Sequence, residues 1–88
     1  MSSRTATIAS AHGLHARPAA LFVQAVNDSG LDVTIEKDGR DAPAGSILGV
    51  ISLAINQGDA VTITADGENA EAVLDQLVAF LETDHDAE

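Results

Sequence analysis

Apolar and polar positions alternate or recur along this chain with periods that mark its elements. The short segment from Arg4 to Ala9 holds Thr5, Thr7 and Ile8, β-prone residues that predict a first strand before the loop "SAHG". From Arg17 the apolar side chains fall at Ala19, Phe22, Val23 and Val26, the i, i+3, i+4, i+7 spacing of a helix with one buried stripe, closed by Asn27-Asp28-Ser29-Gly30. In "LDVTIEKD" Leu31, Val33 and Ile35 alternate with Asp32, Thr34 and Glu36, which predicts a strand with one wet face. Asp38-Gly39 then signals a tight hairpin that returns through Arg40 to Ala42. "APAGSILGVISLAIN" fits a short helix opening at Ser46, although Val50, Ile51, Leu53 and Ile55 also suit a strand; the helix is the preferred reading. Val61, Ile63 and Ala65 alternate as a further strand, and Ala70, Val73, Leu74, Leu77 and Leu81 form an amphipathic helix before the acidic tail 83–88, which is expected to fray.

The predicted order is β-α-β-β-α-β-α, an α+β pattern whose short connections ask for one layer of helices on one face of an antiparallel sheet. The 88 residues allow one domain, because a chain of this length buries only about 60 to 65% of its unfolded surface. With two aromatics, Phe22 and Phe80, the core must come from Val, Leu, Ile and Ala. No repeat, linker or low-complexity stretch interrupts the chain. Such a topology serves many small binding modules and does not select a function.

Charge narrows the choice. Fourteen acidic residues against Arg4, Arg17, Lys37 and Arg40 give a formal charge of −10, which repels polyanions and argues against nucleic-acid binding. The excess acid suits a solvated surface in a salty cytoplasm or attraction to a basic partner, the first being the plainer account. The chain has no cysteine, so disulfides and thiolate metal sites are excluded. "MSSRTATIAS" lacks a signal-peptide core, and "ILGVISLAI" is far short of the roughly 20 residues that span a bilayer. A monomeric protein of the cytoplasm, without membrane insertion, metal or cofactor, is expected.

Candidate chemistry concentrates in "AHGLHARPAALF", residues 11–22. A helix N-terminus presents unpaired amides and a partial positive charge, and Pro18 is tolerated in the first turn, where no intrahelical donor is required. His15 stands just outside that turn and Arg17 within it. A phosphoryl group on His15 could be held by the free amides and the Arg17 guanidinium. A neutral imidazole is an adequate nucleophile near pH 7, and a positive helix end disfavours its protonation. Spacing alone nevertheless favours a solvent-exposed loop histidine, since a lone His beside an Arg is common. His12 and His15 also form H-x-x-H, but Arg17 opposes a cation and no third ligand stands nearby; His85 reads as a solvated tail residue.

Two stretches change that balance. "GLHARPAALF" resembles the active-site signature of HPr, the histidine-containing phosphocarrier of the phosphoenolpyruvate-dependent sugar phosphotransferase system, and "GSILGVISLAI" resembles the second HPr signature around its regulatory serine. Their separation and the final "DGENAEAVLDQLVAFLE" match as well, so the resemblance covers nearly the whole chain as one HPr domain, 1–88. It implies an HPr-like open-faced β-sandwich: a four-stranded antiparallel sheet in order 1-4-2-3 with three helices on one face. It also implies that His15 accepts a phosphoryl group on Nδ1 from phospho-enzyme I and passes it to an EIIA domain of a sugar transporter. The protein is then a carrier turned over by partner enzymes and no enzyme itself. Arg17 would steady the phosphoryl oxygens, with the backbone amides of Ala16 and Arg17 completing the anion site.

Ser46 occupies the position of the serine that an HPr kinase/phosphorylase modifies in some relatives; read from the residues alone it is a helix N-cap. Leu14, Ala20, Ile47, Leu48 and Ile51 are the candidate docking residues, with helix-core packing as the competing account of Ile47 and Leu48. The resemblance has departures: Gln24, Asn27 and Gly49 stand where many relatives carry a basic residue, Gly45 precedes Ser46 where lysine is frequent, and Pro43 is an unusual neighbour. The alternative from another class is a regulatory or ligand-binding module acting through Ser46 and the second helix; within the carrier class, the alternative is a nitrogen-related or dihydroxyacetone kinase branch.

Overall fold

In the computed structural model, residues 2–9 and 16–83 are described, with the backbone alone at 16 and 17. Seven elements follow in the order β1 (Ser2–Thr7), α1 (Ala16–Ser29), β2 (Val33–Lys37), β3 (Arg40–Pro43), α2 (Ile47–Ser52), β4 (Ala60–Ala65) and α3 (Ala70–Leu81). The four strands form one sheet in the order β1-β4-β2-β3, every neighbouring pair antiparallel. β4 is thus inserted between β1 and β2, pairing Arg4 with Ile63 on one side and Ile35 with Ile63 on the other.

The strand periodicity is visible as two faces. Ala6, Val33, Ile35, Val61, Ile63 and Ala65 are buried beneath the helices. On the opposite face Thr5 stands across from Thr62, their hydroxyls 3.4 Å apart. Phe22 of α1, Val50 of α2 and Leu74 of α3 are all fully buried, so each helix contributes to one core on one side of the sheet. The aromatic content of that core is the Phe22–Phe80 pair, with ring centroids 6.2 Å apart, and aliphatic side chains supply the rest.

Turn chemistry sets the connections. Asp38 and Gly39 both adopt positive φ, 53° and 81°, the conformation that joins strands with matching twist in a two-residue hairpin. Helix α1 runs to Ser29, three residues beyond its last buried stripe position, Val26, and ends where Gly30 takes φ 73° and donates to the Asn27 carbonyl. β1 lies two residues earlier than its apolar content suggests. Ile8, although fully buried, has left the ladder: its amide donates to the Asp59 carbonyl and its own carbonyl accepts from Gly58. The ambiguous apolar run resolves as helix, and Leu53 and Ile55, which suited a strand, bury their side chains from the irregular segment after it.

Three described cations are committed to holding elements together. Arg4 donates to Asp75 and Glu71 of α3 at 3.1 and 3.3 Å, joining the edge strand to the last helix. Lys37 pairs with Asp59 at 2.9 Å and donates to the Ala54 carbonyl at 2.8 Å, fastening the loop between α2 and β4 to the end of β2. Arg40 reaches the Ser52 carbonyl at the end of α2, at 3.5 Å.

Candidate functional site

Helix α1 begins at Ala16, so its first amides follow directly on His15 in the chain, and Pro18 sits inside the first turn as its lack of an N–H permits. No acidic residue lies in that turn. A carboxylate there would cap the free amides and oppose an incoming anion; its absence leaves the positive end of the 14-residue helix for another negative group. His15, Leu14 and His12 lie outside the described residues, as does His85; Ala16 and Arg17 are placed on the helix by their backbone.

Ser46 closes the start of α2. Its backbone is extended, at φ −113° and ψ 118°, while its hydroxyl accepts from the Gly49 amide at 3.2 Å. That is the N-cap expected from the sequence. The serine's own amide donates to the Pro43 carbonyl, also at 3.2 Å, so the cap is anchored to the end of β3.

Every docking candidate among the described residues is exposed. Ala20 is exposed. Ile47, Leu48 and Ile51 are exposed by 39%, 78% and 40%, whereas Val50 between them is fully buried. α2 therefore buries Val50 in the core, while Ile47, Leu48 and Ile51 lie outside it, Leu48 mostly exposed and the other two partly covered. A fourth, Leu21 of α1, is exposed by 37% and was not among the residues singled out by the sequence. Its signal was present: Leu21 falls between the stripe positions Ala19 and Phe22, and a large apolar residue off the buried stripe needs another partner.

The unusual residues around Ser46 fit one another. A Cβ added at Gly49 would lie 3.2 Å from the Pro43 carbonyl oxygen and 3.3 Å from the Ala42 Cβ. The missing side chain is what lets α2 approach the proline-ended strand. At Gly45 an added Cβ would come within 2.9 Å of the Asn27 side-chain oxygen, and the Asn27 amide nitrogen donates to the Gly45 carbonyl at 3.3 Å. Four departures scattered through the sequence are thus two packed pairs, Pro43 with Gly49 and Asn27 with Gly45.

Among the described residues no helix is long and apolar enough to cross a membrane, and no group of three or more metal-ligating side chains occurs. What the elements do form is an open-faced α+β sandwich whose first helix has no acidic residue in its first turn and whose second is capped by a serine. Comparison with known proteins specifies it further. Residues 2–83 match the family model described as the PTS HPr component phosphorylation site. The HPr-like protein Crh of Bacillus subtilis is 49% identical over 70 residues, covering 80% of this chain and 82% of that protein. The phosphocarrier protein HPr of Streptomyces coelicolor is 42% identical over 82 residues, or 92% of this chain and 88% of its own length. The crystal structure of HPr from Bacillus anthracis superposes with a TM-score of 0.88 at 45% identity, covering 91% of this chain and 95% of that one. The chain belongs to the HPr family, the phosphocarrier proteins of the phosphotransferase system. Crh itself has been solved as a dimer with a swapping domain, at TM-score 0.75, 42% identity and coverage of 96% and 97%, so membership of the family does not by itself entail a monomer.

Proposed function

We propose that this protein relays a phosphoryl group from phospho-enzyme I of a phosphoenolpyruvate-dependent sugar phosphotransferase system to an EIIA domain, through His15. The observation that carries the reading is the start of α1 at Ala16, immediately after His15, with no carboxylate in its first turn. The neutral imidazole Nδ1 would attack phosphorus, forming a P–N bond as the bond to the donor breaks and its electron pair leaves with the donor. The amides of Ala16 and Arg17 and the Arg17 guanidinium would receive the phosphoryl oxygens. A phosphorus–nitrogen bond retains transfer potential, which suits a carrier in the cytoplasm, acted on by its partners and docked through Leu14, Ala20, Ile47, Leu48 and Ile51.

The decisive experiment is incubation with phosphoenolpyruvate and enzyme I from the same organism, followed by intact mass in alkali and after brief acid. One acid-labile phosphoryl group is expected, and none on His15→Ala, whose fold should be unchanged because the substituted side chain is expected in a loop. Arg17→Ala should slow transfer while leaving docking in place; an unchanged rate would mean that the helix amides suffice.

A second reading follows from the likeness to Crh, which is described as a catabolite repression protein. On it, Ser46 would be the working residue, modified by a serine kinase/phosphorylase, and α2 the working face. A phosphate on Ser46 adds a charge of about −1.5 to −2 beside three exposed apolar side chains without requiring the helix to unfold. Absence of phosphoryl acceptance with a demonstrably active enzyme I would transfer the weight to this reading, or to a nitrogen-related or dihydroxyacetone kinase branch.

A further inference from the structure

Helices α1 and α3 pack together through the Phe22 and Phe80 rings, and beside that contact a cleft of about 370 Å³ opens between them. Ala25 of α1 and Val73, Leu77 and Phe80 of α3 line it with apolar surface, while Asp28 and Gln76 supply its polar groups. Ser29 lines it too but is already engaged, its hydroxyl donating to the Val26 carbonyl and accepting from the Leu31 amide. The volume falls at the lower end of the roughly 300 to 1,000 Å³ of small-molecule sites. With a helical rise of about 1.5 Å per residue, the α1 side of the cleft lies roughly 14 to 20 Å along the helix from Ala16. The reading of His15 makes no use of it.

Charge around the cleft has one sign. Asp28 stands in the last turn of α1, where the carbonyl end of the helix is partially negative and a carboxylate is unfavourable. That turn holds no basic residue, α3 holds none anywhere, and Arg17, the one cation in α1, is at the opposite end. The described cations are engaged elsewhere: Arg4 with Asp75 and Glu71, Lys37 with Asp59, and Arg40 with the Ser52 carbonyl. A cation entering the cleft would therefore meet a carboxylate, a helix carbonyl end and the field of a −10 molecule, with none of those bonds to displace. An anion would be repelled by all three. An uncharged apolar molecule would cover Asp28 without replacing the water it gives up.

We propose that this cleft binds a small organic ammonium, with its cationic head at Asp28 and its apolar body against Val73, Leu77 and Phe80. The Gln76 side-chain oxygen is the acceptor for a second N–H of the head. The apolar walls select an amine with a hydrocarbon body over an inorganic cation, and the carboxylate selects it over the uncharged analogue. The site is independent of the carrier reading, because its residues lie away from the start of α1.

The test is an amide NMR titration of the full chain with phenethylammonium at neutral pH and about 0.1 M NaCl, where the Debye length is still roughly 10 Å. Two controls run beside it: 2-phenylethanol keeps the body without the charge, and ammonium chloride keeps the charge without the body. Saturable shifts centred on Ala25, Asp28, Val73 and Gln76 are expected for phenethylammonium. The alcohol should bind about tenfold more weakly, the loss expected when one charge-assisted hydrogen bond is not made, and ammonium should not saturate. Asp28→Asn should weaken the amine by about tenfold, whereas Asp41→Asn, which removes the same charge from the exposed strand β3, should leave affinity within about twofold. Equal binding of amine and alcohol, equal losses in the two variants, indifference to Asp28→Asn, or shifts spread over the carboxylates without saturation would each overturn the proposal. Phosphoryl acceptance is measured separately and stands or falls without it.

Discussion

Ala54 shows how a single residue can be held against its own preference. It adopts φ 52°, in the left-handed region where a Cβ crowds the following carbonyl, yet its carbonyl accepts from Lys37 at 2.8 Å and from Asn56 at 3.1 Å. The two donors outweigh the local cost and hold the turn after α2. Ala54 is exposed, so a glycine there loses little packing. Ala54→Gly should therefore stabilise the protein by about 0.5 kcal/mol, the left-handed penalty relieved less the extra backbone entropy of glycine. Urea unfolding measures it, and a lower midpoint would show that the turn carries no strain. Side-chain identity at 45 and 49 has the opposite logic, since there the glycines answer neighbours rather than dihedrals.

At the scale of elements, α2 is the most dependent on its boundaries. It has six residues and one buried side chain, Val50, so its start relies on the Ser46 cap. Ser46→Ala should cost about 1 kcal/mol, and Ser46→Asp should recover most of it because a carboxylate caps as well as a hydroxyl. Equal losses in both variants would place the cost elsewhere. The loop beyond α2 is tied to β2 by Asp59, whose carboxyl is held below its ordinary value of 3.8 first by the backbone amide of Asn56 and then by Lys37. A carboxyl that is more acidic when folded than when unfolded stabilises the fold above its unfolded value; the contribution fades as pH falls through that value and below the depressed one. Stability of the parent should thus decline below about pH 4 more steeply than that of Asp59→Asn, and parallel acid limbs would discount the pair.

For the whole molecule the charge of −10 is the dominant long-range feature, since the described cations are already spent on local bonds. Self-repulsion among carboxylates opposes the compact state, and salt screens it. The melting temperature should rise between about 0.05 and 1 M NaCl, over which the Debye length shrinks severalfold. A fall would show that the bridges of Arg4 and Lys37 outweigh the general repulsion. The surplus charge has a direction, since no carboxylate lies before Asp28 or between Ala42 and Gly58, so that α1 up to Asn27 and the whole of α2 carry none.

The sequence by itself determined the elements and the candidate chemistry, because both are local properties. Period-two alternation in β2 and β4 named the residues that face the core, the Asp38-Gly39 pair named the hairpin, and Ser46 named the cap of α2. The order of the strands followed from resemblance rather than periodicity, since nothing in β4 alone says that it inserts between β1 and β2. Only the tertiary structure decided which distant residues meet. That Asn27 answers Gly45 and Pro43 answers Gly49, that Arg4 grips α3, and that Leu21 stays partly exposed are facts about neighbouring surfaces. A periodic pattern records which side of an element is apolar. It does not record what lies opposite, because that contact is formed only when segments far apart in the chain are packed together.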